Sequence, residues 1–329
     1  MPDQHDVLWE WSVFWHSDQL QSCLPATSSA GIENLQGRWR CFFDALPDGA
    51  EFLDLGTGNG GLATQAVAAS QTRARPFSIH GVDLADIDPA SFVSSADSLL
   101  AGVEFYARTS MEALPFDDGH FDAVASQYAI EYSDMSKSLP EALRVLKSGG
   151  AFCFLLHADD GVLKQRCFLQ EEQAQVILDS ALFMATEDML RCLVSAEVVN
   201  TPDSIAAAEQ AIATLKRVFD ELEAQFTHDE DRSLVDNLFA AIRSLPDLRR
   251  SHGIDRLIAM AQDIQNLLHA QARRLAAMQK AALNDSAAKE LVDRLEDHGA
   301  TAVLLELATT GEEAHAVGYW LSGEKAVRT

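Results

Sequence analysis

Short apolar runs alternate with helix-forming segments between Ala50 and His157. Runs that are apolar on both faces are typical of parallel strands covered by helices on both sides. The pattern therefore predicts a parallel β-sheet with helices between its strands. The predicted strands are 51–55, 78–83, 103–106, 121–127 and 150–156, and the predicted helices lie near 60–70, 90–100 and 137–147.

The strand pattern stops after His157, and residues 160–284 form a glycine-poor, helix-forming stretch. Two sets of apolar residues step by three and four, which places each set along one face of a helix. We expect these helices to pack as a hairpin, the first starting at Asn200-Thr201-Pro202, with a homodimer seam as the alternative. The sets are Ile205, Ala208, Ile212, Leu215, Phe219, Leu222 and Phe226, and Ile254, Leu257, Ala261, Ile264, Leu268, Ala272, Leu275 and Met278.

The strand pattern returns near the C-terminus. A helix is predicted at 286–298, then strands at 302–309 and 314–321 joined by a Thr310-Gly311-Glu312 turn. We therefore expect one α/β domain at 46–159 and 285–329, interrupted by an all-helical insertion at 160–284 that covers the substrate or mediates oligomerisation.

Residues 1–45 form a lead-in with a predicted helix at 35–46. Its aromatic cluster is dense enough to form a lid over a binding site, and a small N-terminal core is the equal alternative. The cluster comprises Trp9, Trp11, Phe14, Trp15 and His16.

The chain carries a net charge of −25, and each predicted segment is net acidic. Nucleic-acid binding depends on Lys and Arg that neutralise phosphates, so the charge argues against a DNA or RNA partner. The five cysteines contain no CxxC pair, which fits reduced thiols, and no metal-ligand spacing occurs. With no basic leader and no apolar run of about 18 residues, we expect a cytoplasmic protein without a membrane span.

A glycine-rich turn follows the first predicted strand, in the segment Glu51-Phe-Leu-Asp-Leu-Gly-Thr-Gly-Asn-Gly60. Glycines let the backbone approach a ligand closely, and the next helix offers unpaired N–H groups there. Gly56, Gly58 and Gly61 also satisfy the dinucleotide motif GxGxxG, with Asp83 after the next strand. Asp54 favours a different ligand, because its carboxylate repels a pyrophosphate and attracts an ammonium group.

The segment 51–156 resembles class I S-adenosylmethionine-dependent methyltransferases, the broad group that modifies small molecules, quinones and lipids. The resemblance covers about half the chain and implies a Rossmann-like, seven-stranded, mostly parallel sheet with helices on both faces, with the helical insertion between strands five and six. The matching segments are Asp54-Leu-Gly-Thr-Gly-Asn-Gly60, Gly81-Val-Asp-Leu84, Glu112-Ala-Leu-Pro-Phe116, 121–132, Arg144-Val-Leu-Lys-Ser-Gly-Gly150 and 291–309.

The resemblance also implies the cofactor site. The glycine turn and Asp54 would hold the methionine part of S-adenosyl-L-methionine, and Asp83 the ribose hydroxyls. Met111, with the neighbouring Ser110 and Glu112, would border the adenine. Ser110 stands where many relatives have an aspartate. The cofactor-binding residues implied are Asp54, Gly56, Thr57, Gly58, Asn59, Gly60, Asp83, Leu84, Ser110, Met111, Glu112 and Gln127.

Substrate-facing residues are expected after strands four and five, because ligands of open parallel sheets bind outside the carboxyl ends of the strands. His157 ends the fifth strand, where an imidazole can act as a general base or serve as a structural, hydrogen-bonded group. Tyr128 and Tyr132 are catalytic candidates with packing as the alternative, and Gln127 and Glu131 share this edge.

These observations predict an enzyme that O-methylates a small or carrier-bound hydroxylated molecule. The alternatives are N- or C-methylation, a degenerate fold that binds the cofactor or a partner without turnover, and, more distantly, a dehydrogenase. Methyl transfer requires no metal, because the sulfonium already activates the methyl group.

Overall fold

The computed structural model describes residues 8–22, 29–310 and 315–327, and a seven-stranded sheet lies at the centre of its larger part. The strands run in the order β3-β2-β1-β4-β5-β7-β6. Strands β1 to β5 are parallel, whereas β7 pairs antiparallel with both β5 and β6. The strands are β1 (Glu51–Leu55), β2 (Ser78–Val82), β3 (Val103–Tyr106), β4 (Phe121–Gln127), β5 (Leu146–Leu156), β6 (Ala300–Thr310) and β7 (His315–Lys325).

Helices cover both faces of this sheet, and each face has its own apolar core. One core contains Trp39, Phe43 and Phe52, and the other contains Phe121 and Leu291. The predicted fold class is thereby confirmed. The helices here are α1 (Trp9–Trp15), α2 (Ser29–Asp44), α3 (Gly61–Ser70), α4 (Pro89–Phe92), α5 (Ala96–Leu99), α6 (Met135–Val145) and α12 (Asp285–Asp297), with a 3₁₀ turn at Ile130–Tyr132.

The strand order reverses between β1 and β4. From β1 the chain moves outward through β2 and β3, then returns to the other side of β1 with β4. Crossover helices on either side of such a point leave a crevice at the carboxyl ends of the two strands, where ligands of this architecture bind. Asp54 at the end of β1 and Gln127 at the end of β4 flank that crevice.

The chain divides into two compact units, 1–165 with 277–329, and 166–276. The second unit is helical, and the helices that build it are α7 (Val162–Asp179), α8 (Leu182–Val199), α9 (Pro202–Phe226), α10 (Ser233–Ser244) and α11 (Ile254–Ala281), with a 3₁₀ turn at Leu245–Arg250. These helices follow β5 and precede β6, as predicted. The Thr201 side chain caps α9 in a capping box with Ser204, which explains its start at Pro202.

The predicted hairpin between α9 and the second apolar stripe, which lies on α11, is wrong. Helix α9 packs along α8, which the sequence pattern did not single out, and α11 joins the same apolar core. The stripe on α9 is buried from Leu215 onward, whereas Ile205 and Ile212 are exposed. The short turn at Asn200 in left-handed conformation reverses the chain between α8 and α9, and this makes consecutive helices neighbours.

The single helix predicted at 90–100 is also wrong, since α4 and α5 are separate. Val93 adopts an extended backbone and places its side chain in the core, while the backbone N–H and hydroxyl of Ser94 both donate to the Asp18 carboxylate at 2.8 Å. The predicted turn at 310–312 lies partly outside the described residues. Among the described residues, no helix is long and apolar enough to cross a membrane.

Candidate active site

A cleft of about 1000 Å³, including its open mouth, lies at the carboxyl ends of β1, β2 and β4. All its lining residues belong to the first unit. They are Leu8, Trp11, Trp15, Leu20, Gln21, Ser22, Asp54, Gly56, Thr57, Gly61, Leu62, Asp83, Leu84, Ser110, Met111, Glu112, Gln127, Tyr128, Ala129, Tyr132 and Ser133.

The glycine turn after β1 forms the floor of the cleft. The backbone N–H groups of Gly56 and Thr57 both donate to the carbonyl of Val82, at 2.8 and 3.0 Å, which ties the turn to the end of β2. Gly56 has a φ of +68°, and a Cβ there would collide with Ala129. The turn therefore requires glycine for both its conformation and its close approach to the loop after β4.

Asp83 at the end of β2 is held in place by two backbone donors. Its Oδ2 accepts from the Gly58 N–H at 2.9 Å, and its Oδ1 accepts from the Ala85 N–H at 2.8 Å. Burial raises the pKa of Asp83 to about 6, although both hydrogen bonds act in the opposite direction. A carboxylate fixed in this way still has lone pairs for two adjacent hydroxyls of a ligand.

Asp54 at the end of β1 is a second buried carboxylate, only 1% exposed. Its Oδ2 accepts from the Thr57 hydroxyl at 2.8 Å. Burial raises the pKa of Asp54 to about 7; the Thr57 hydrogen bond lowers it, and the nearby charge of Asp83 raises it further. Two buried carboxyl groups in one cleft are stabilised in their charged form by a cation, so the floor favours a positively charged ligand.

Helix α1 forms a wall of the cleft through Trp11 and Trp15, which also pack with Ala85 and Ile87. The aromatic cluster therefore forms a small core that also lines the cleft, and its function as a lid stays a prediction. The Asn59 side-chain amide holds the segment after α1, donating to the backbone carbonyls of Trp15, Ser17 and Gln19 at 2.9, 3.1 and 2.9 Å.

Three residues predicted to bind the cofactor lie outside the cleft lining. Trp15 packs against Gly58, so closely that a Cβ at Gly58 would collide with the indole ring. Asn59 is fully buried beneath the α1 segment, and Gly60 faces Leu100. These residues hold the lid on the glycine turn, and their predicted contact with the cofactor stays a prediction.

The predicted adenine-side residues line the cleft together. The Ser110 hydroxyl accepts from the Glu112 N–H at 3.1 Å, and Glu112 accepts in turn from the Asp134 N–H at 2.9 Å. Lys137 pairs with Glu112 at 3.4 Å. These contacts connect the loop after β3 to the start of α6. Met111 and the partly exposed Leu84 provide the apolar surface on this side of the cleft.

The opposite wall consists of residues after β4. The side-chain oxygen Oε1 of Gln127, at the end of β4, accepts from the Trp39 indole N–H at 2.6 Å. Tyr128 has a φ of 54°, unusual for a residue with a side chain, and its hydroxyl donates to the Val317 carbonyl at 3.1 Å. Strain of this kind is found at ligand sites. Tyr132 meets Trp11 edge to face, with ring centroids 5.4 Å apart.

His157 lies behind this wall and outside the cleft lining. Its ring packs on Tyr128 with centroids 4.4 Å apart and meets Tyr132 edge-on at 5.9 Å. Its Nδ1 lies 2.7 Å from Glu131 Oε1, which also accepts from the His157 backbone N–H at 2.8 Å. Both side chains are buried. The Tyr128 ring lies where the sequence placed His157, at the surface of the cleft, and the His157 ring lies behind it.

The structure adds cleft residues that sequence reasoning missed. Gln21 and Ser22 line the cleft, as do Leu20 and Leu62. The first three lie in a loop after α1 without periodic apolar spacing, so no local pattern marks them. Leu62 occupies the first turn of α3, where an apolar residue is equally typical of the core.

Comparison with known proteins identifies relatives of this site. Residues 53–154 match the family described as methyltransferase domain. The ubiquinone/menaquinone biosynthesis C-methyltransferase UbiE of Geobacter sp. (strain M21) is 36% identical over 132 residues, 39% of this chain and 54% of the relative. A mitochondrial 2-methoxy-6-polyprenyl-1,4-benzoquinol methylase of Leishmania donovani is 33% identical over 114 residues, 31% and 40% of the two chains. The chain thus spans about half the length of the curated relatives it matches.

Solved structures resemble the chain at lower identity. Geranyl diphosphate C-methyltransferase from Streptomyces coelicolor A3(2), in complex with Mg²⁺, geranyl diphosphate and S-adenosyl-L-homocysteine, is 19% identical. That match covers 46% of this chain and 65% of that one, with a TM-score of 0.36. The [4+2]-cyclase SpnF is 15% identical and covers 98% of this chain and 92% of that one, with a TM-score of 0.43.

Proposed function

Because the chain carries a class I S-adenosylmethionine-dependent methyltransferase domain, we propose that it transfers a methyl group to a hydroxyl oxygen of a small or carrier-bound acceptor. The observation that carries the proposal is the pair of buried carboxyl groups, Asp54 and Asp83, on the floor of a cleft walled by aromatic rings. An acidic floor suits a cationic donor, and an aromatic wall suits a flat, largely apolar acceptor.

The residues of the cleft fit S-adenosyl-L-methionine. Its ammonium group finds a carboxylate in Asp54, and its ribose hydroxyls find a doubly anchored acceptor in Asp83. Met111 and Leu84 offer the apolar surface that an adenine ring packs against. When bound, this cofactor supplies a methyl group already activated by a sulfonium. The protein's own contribution is to align the acceptor and to exclude water.

The acceptor would lie between the Trp11 ring of α1 and the rings of Tyr128 and Tyr132 after β4. Phenols and enols lose their hydroxyl proton as the methyl group arrives. We assign that proton to the side of the cleft formed by Tyr128 and Tyr132. His157 lies outside the cleft lining behind Tyr128, so as the general base it would take the proton through an intervening group and not from the acceptor directly. Glu131 holds the Nδ1 side of the ring, which fixes the tautomer whose Nε2 carries the lone pair.

Methylation at carbon is the second candidate, because the curated relatives include C-methyltransferases of quinone biosynthesis. In a quinol or phenol, loss of the hydroxyl proton also activates the neighbouring ring carbons. The same wall and the same base therefore serve either acceptor atom. The position of the added methyl group separates the two reactions.

The experiment incubates the purified chain with S-adenosylmethionine and a panel of hydroquinones, catechols and alkylphenols. S-adenosylhomocysteine release reports turnover, and mass spectrometry with NMR locates the methyl group. An O-methyl product supports the proposal, and a ring-methylated product favours the carbon alternative. Cofactor binding by calorimetry without turnover on any compound would support the degenerate, binding-only alternative.

The matched variants are Asp54→Asn and Asp86→Asn. Asp54 lies on the cleft floor, whereas Asp86 lies outside the cleft lining and pairs with Arg108 at 3.1 Å. Loss of turnover in Asp54→Asn alone would assign the activity to this cleft. Equal loss in both variants would contradict that assignment.

A further inference from the structure

A second polar cluster lies toward the amino ends of the strands, where Glu51 begins β1, His80 occupies the middle of β2 and His120 precedes β4. Glu51, His80 and His120 each offer one ligand atom there, and these atoms lie within 4.8 Å of one another. The cofactor cleft lies at the carboxyl ends of the same strands. We propose that this cluster binds a divalent transition-metal ion of the zinc type.

His80 is the central residue of the cluster because of its position in the sheet. It is aligned with Leu53 on β1 and shares its face of β2 with Val82, so the strand pattern places an imidazole on an apolar face. It is only 8% exposed, and its ring packs against Phe116 and Phe121 at 5.8 and 5.5 Å. A buried imidazole at such a position needs polar partners on both nitrogens.

The two nitrogens of His80 have different surroundings. Nδ1 lies 3.3 Å from the Tyr106 hydroxyl, which donates to Glu104 Oε2 at 3.0 Å. Nε2 lies 3.5 Å from Glu51 Oε2 and 3.1 Å from the Ser78 hydroxyl. The chain from Nδ1 through Tyr106 to a carboxylate is the arrangement that orients metal-binding histidines and directs the lone pair of the other nitrogen toward the ion.

The spacing also fits a zinc-type ion. With Zn–N and Zn–O bonds of about 2.0–2.2 Å, neighbouring ligand atoms of a tetrahedral site lie about 3.4 Å apart. The 3.5 Å between Glu51 Oε2 and His80 Nε2 matches that separation. The 4.8 Å bound on the ligand-atom separations exceeds this value by about 1.4 Å, so His120 has to move inward by up to about 1.4 Å. It is exposed and stacked on Phe116, so its side chain has room to do so.

The ligand set determines which ion is preferred. Two imidazoles and one carboxylate suit Zn²⁺ or its transition-metal neighbours, whereas Mg²⁺ and Ca²⁺ prefer oxygen ligands only. Three protein ligands leave a fourth position for water, at the exposed His120 side. The ion would join the start of β1 and the middle of β2 to the residue preceding β4, and would thereby stabilise the side of the sheet away from the cleft.

The test measures Zn²⁺ binding to chelator-treated full-length protein by competition with a chromophoric chelator. The variants are Glu51→Gln and His120→Ala, which change partly or fully exposed side chains, and the control is His252→Ala at an exposed position in the helical unit. We expect one Zn²⁺ per chain, at least tenfold weaker binding in each ligand variant, and unchanged binding in the control. Millimolar Mg²⁺ should not compete.

Two further readouts keep the proposal open to refutation. Zn²⁺ should raise the melting temperature of the wild-type chain and not that of His120→Ala, because an ion that binds only the native state stabilises it. Co²⁺ should give the visible absorption of a tetrahedral site. Unaltered Zn²⁺ affinity in both ligand variants, or no saturable binding by the wild type, would show that the cluster is a hydrogen-bond network only.

Discussion

Glu131 Oε1 lies 2.7 Å from His157 Nδ1, and both side chains are buried behind the tyrosine wall of the cleft. A carboxylate at this distance accepts from Nδ1–H and so orients the imidazole ring. The backbone N–H of His157 donates to the same oxygen, which fixes the carboxylate at the end of β5.

We predict that His157→Ala lowers the rate of methyl transfer to an oxygen acceptor by about 100- to 10,000-fold at saturating cofactor. Glu131→Gln keeps the shape of the carboxyl group and removes its charge, so it should slow the reaction less and change its pH profile. The measurement is the initial rate from pH 5 to 9 for variants whose melting shows a folded protein. A near-native rate and profile in His157→Ala would remove this histidine as the base.

Asp83→Asn should weaken binding of S-adenosylhomocysteine by about 2 kcal/mol, since a charged acceptor for two ribose hydroxyls is lost. Asparagine preserves the size of the group that holds Gly58 and Ala85. Calorimetry on Asp83→Asn, with Asp86→Asn as the control at the neighbouring surface position, checks the prediction. Wild-type affinity in Asp83→Asn would exclude it as the ribose ligand.

Cofactor affinity should rise with pH between about 6 and 8. Burial raises the pKa of Asp54 to about 7 and that of Asp83 to about 6, so part of the pair is protonated near neutrality. A cationic ligand favours the ionised pair and should release protons on binding. Calorimetry in buffers of different ionisation enthalpy measures that release, and Asp54→Asn should reduce it. A pH-independent affinity would contradict the assignment.

The same raised pKa values affect the stability of the ligand-free protein. Between the ordinary pKa of about 4 and the native values, the native state binds more protons than the unfolded state, so the free energy of unfolding decreases as pH rises. The loss continues through about pH 7 and is complete about one pH unit above it. Asp54→Asn removes its part of the effect, so its melting temperature should exceed the wild-type value at pH 8 more than at pH 4.

Asn59→Ala should loosen the lid. Its amide donates to three backbone carbonyls of the segment after α1, and alanine leaves those carbonyls without this partner. We expect faster hydrogen exchange over residues 9–22 and about tenfold weaker cofactor binding. Asn34→Ala, which removes an exposed amide bonded to Thr309, is the control. Unchanged exchange in Asn59→Ala would show that α1 docks through its tryptophans alone.

The helical unit offers a matched pair of variants on α9. Leu215→Asp puts an unpaired charge into the core and should cost about 3 kcal/mol or more. Ile212→Asp, one turn earlier on an exposed position, should cost within about 0.5 kcal/mol. Chemical denaturation of both variants measures the difference. Equal costs would contradict the burial of this face.

Local sequence patterns determined the positions of the strands, the start of α9 and the glycine turn. Apolar runs between glycine-rich turns were sufficient to locate the strands, because a strand buried on both faces needs continuous apolar residues. Thr201-Pro202 marked the start of α9, because capping depends on neighbouring residues only. Asp54, Gly56 and Asp83 were recognisable from sequence, because a tight turn beside a ligand restricts residue choice at fixed positions.

Only the tertiary structure decided which distant segments meet. It placed α1 over the glycine turn, paired α9 with α8 in place of α11, and put His157 behind Tyr128 instead of in the cleft. It also gathered Glu51, His80 and His120, which are separated by 29 and 40 residues, at one edge of the sheet. These contacts depend on strand order and helix packing, which bury whole surfaces against one another. The spacing of residues along the sequence does not show which two surfaces will pack together.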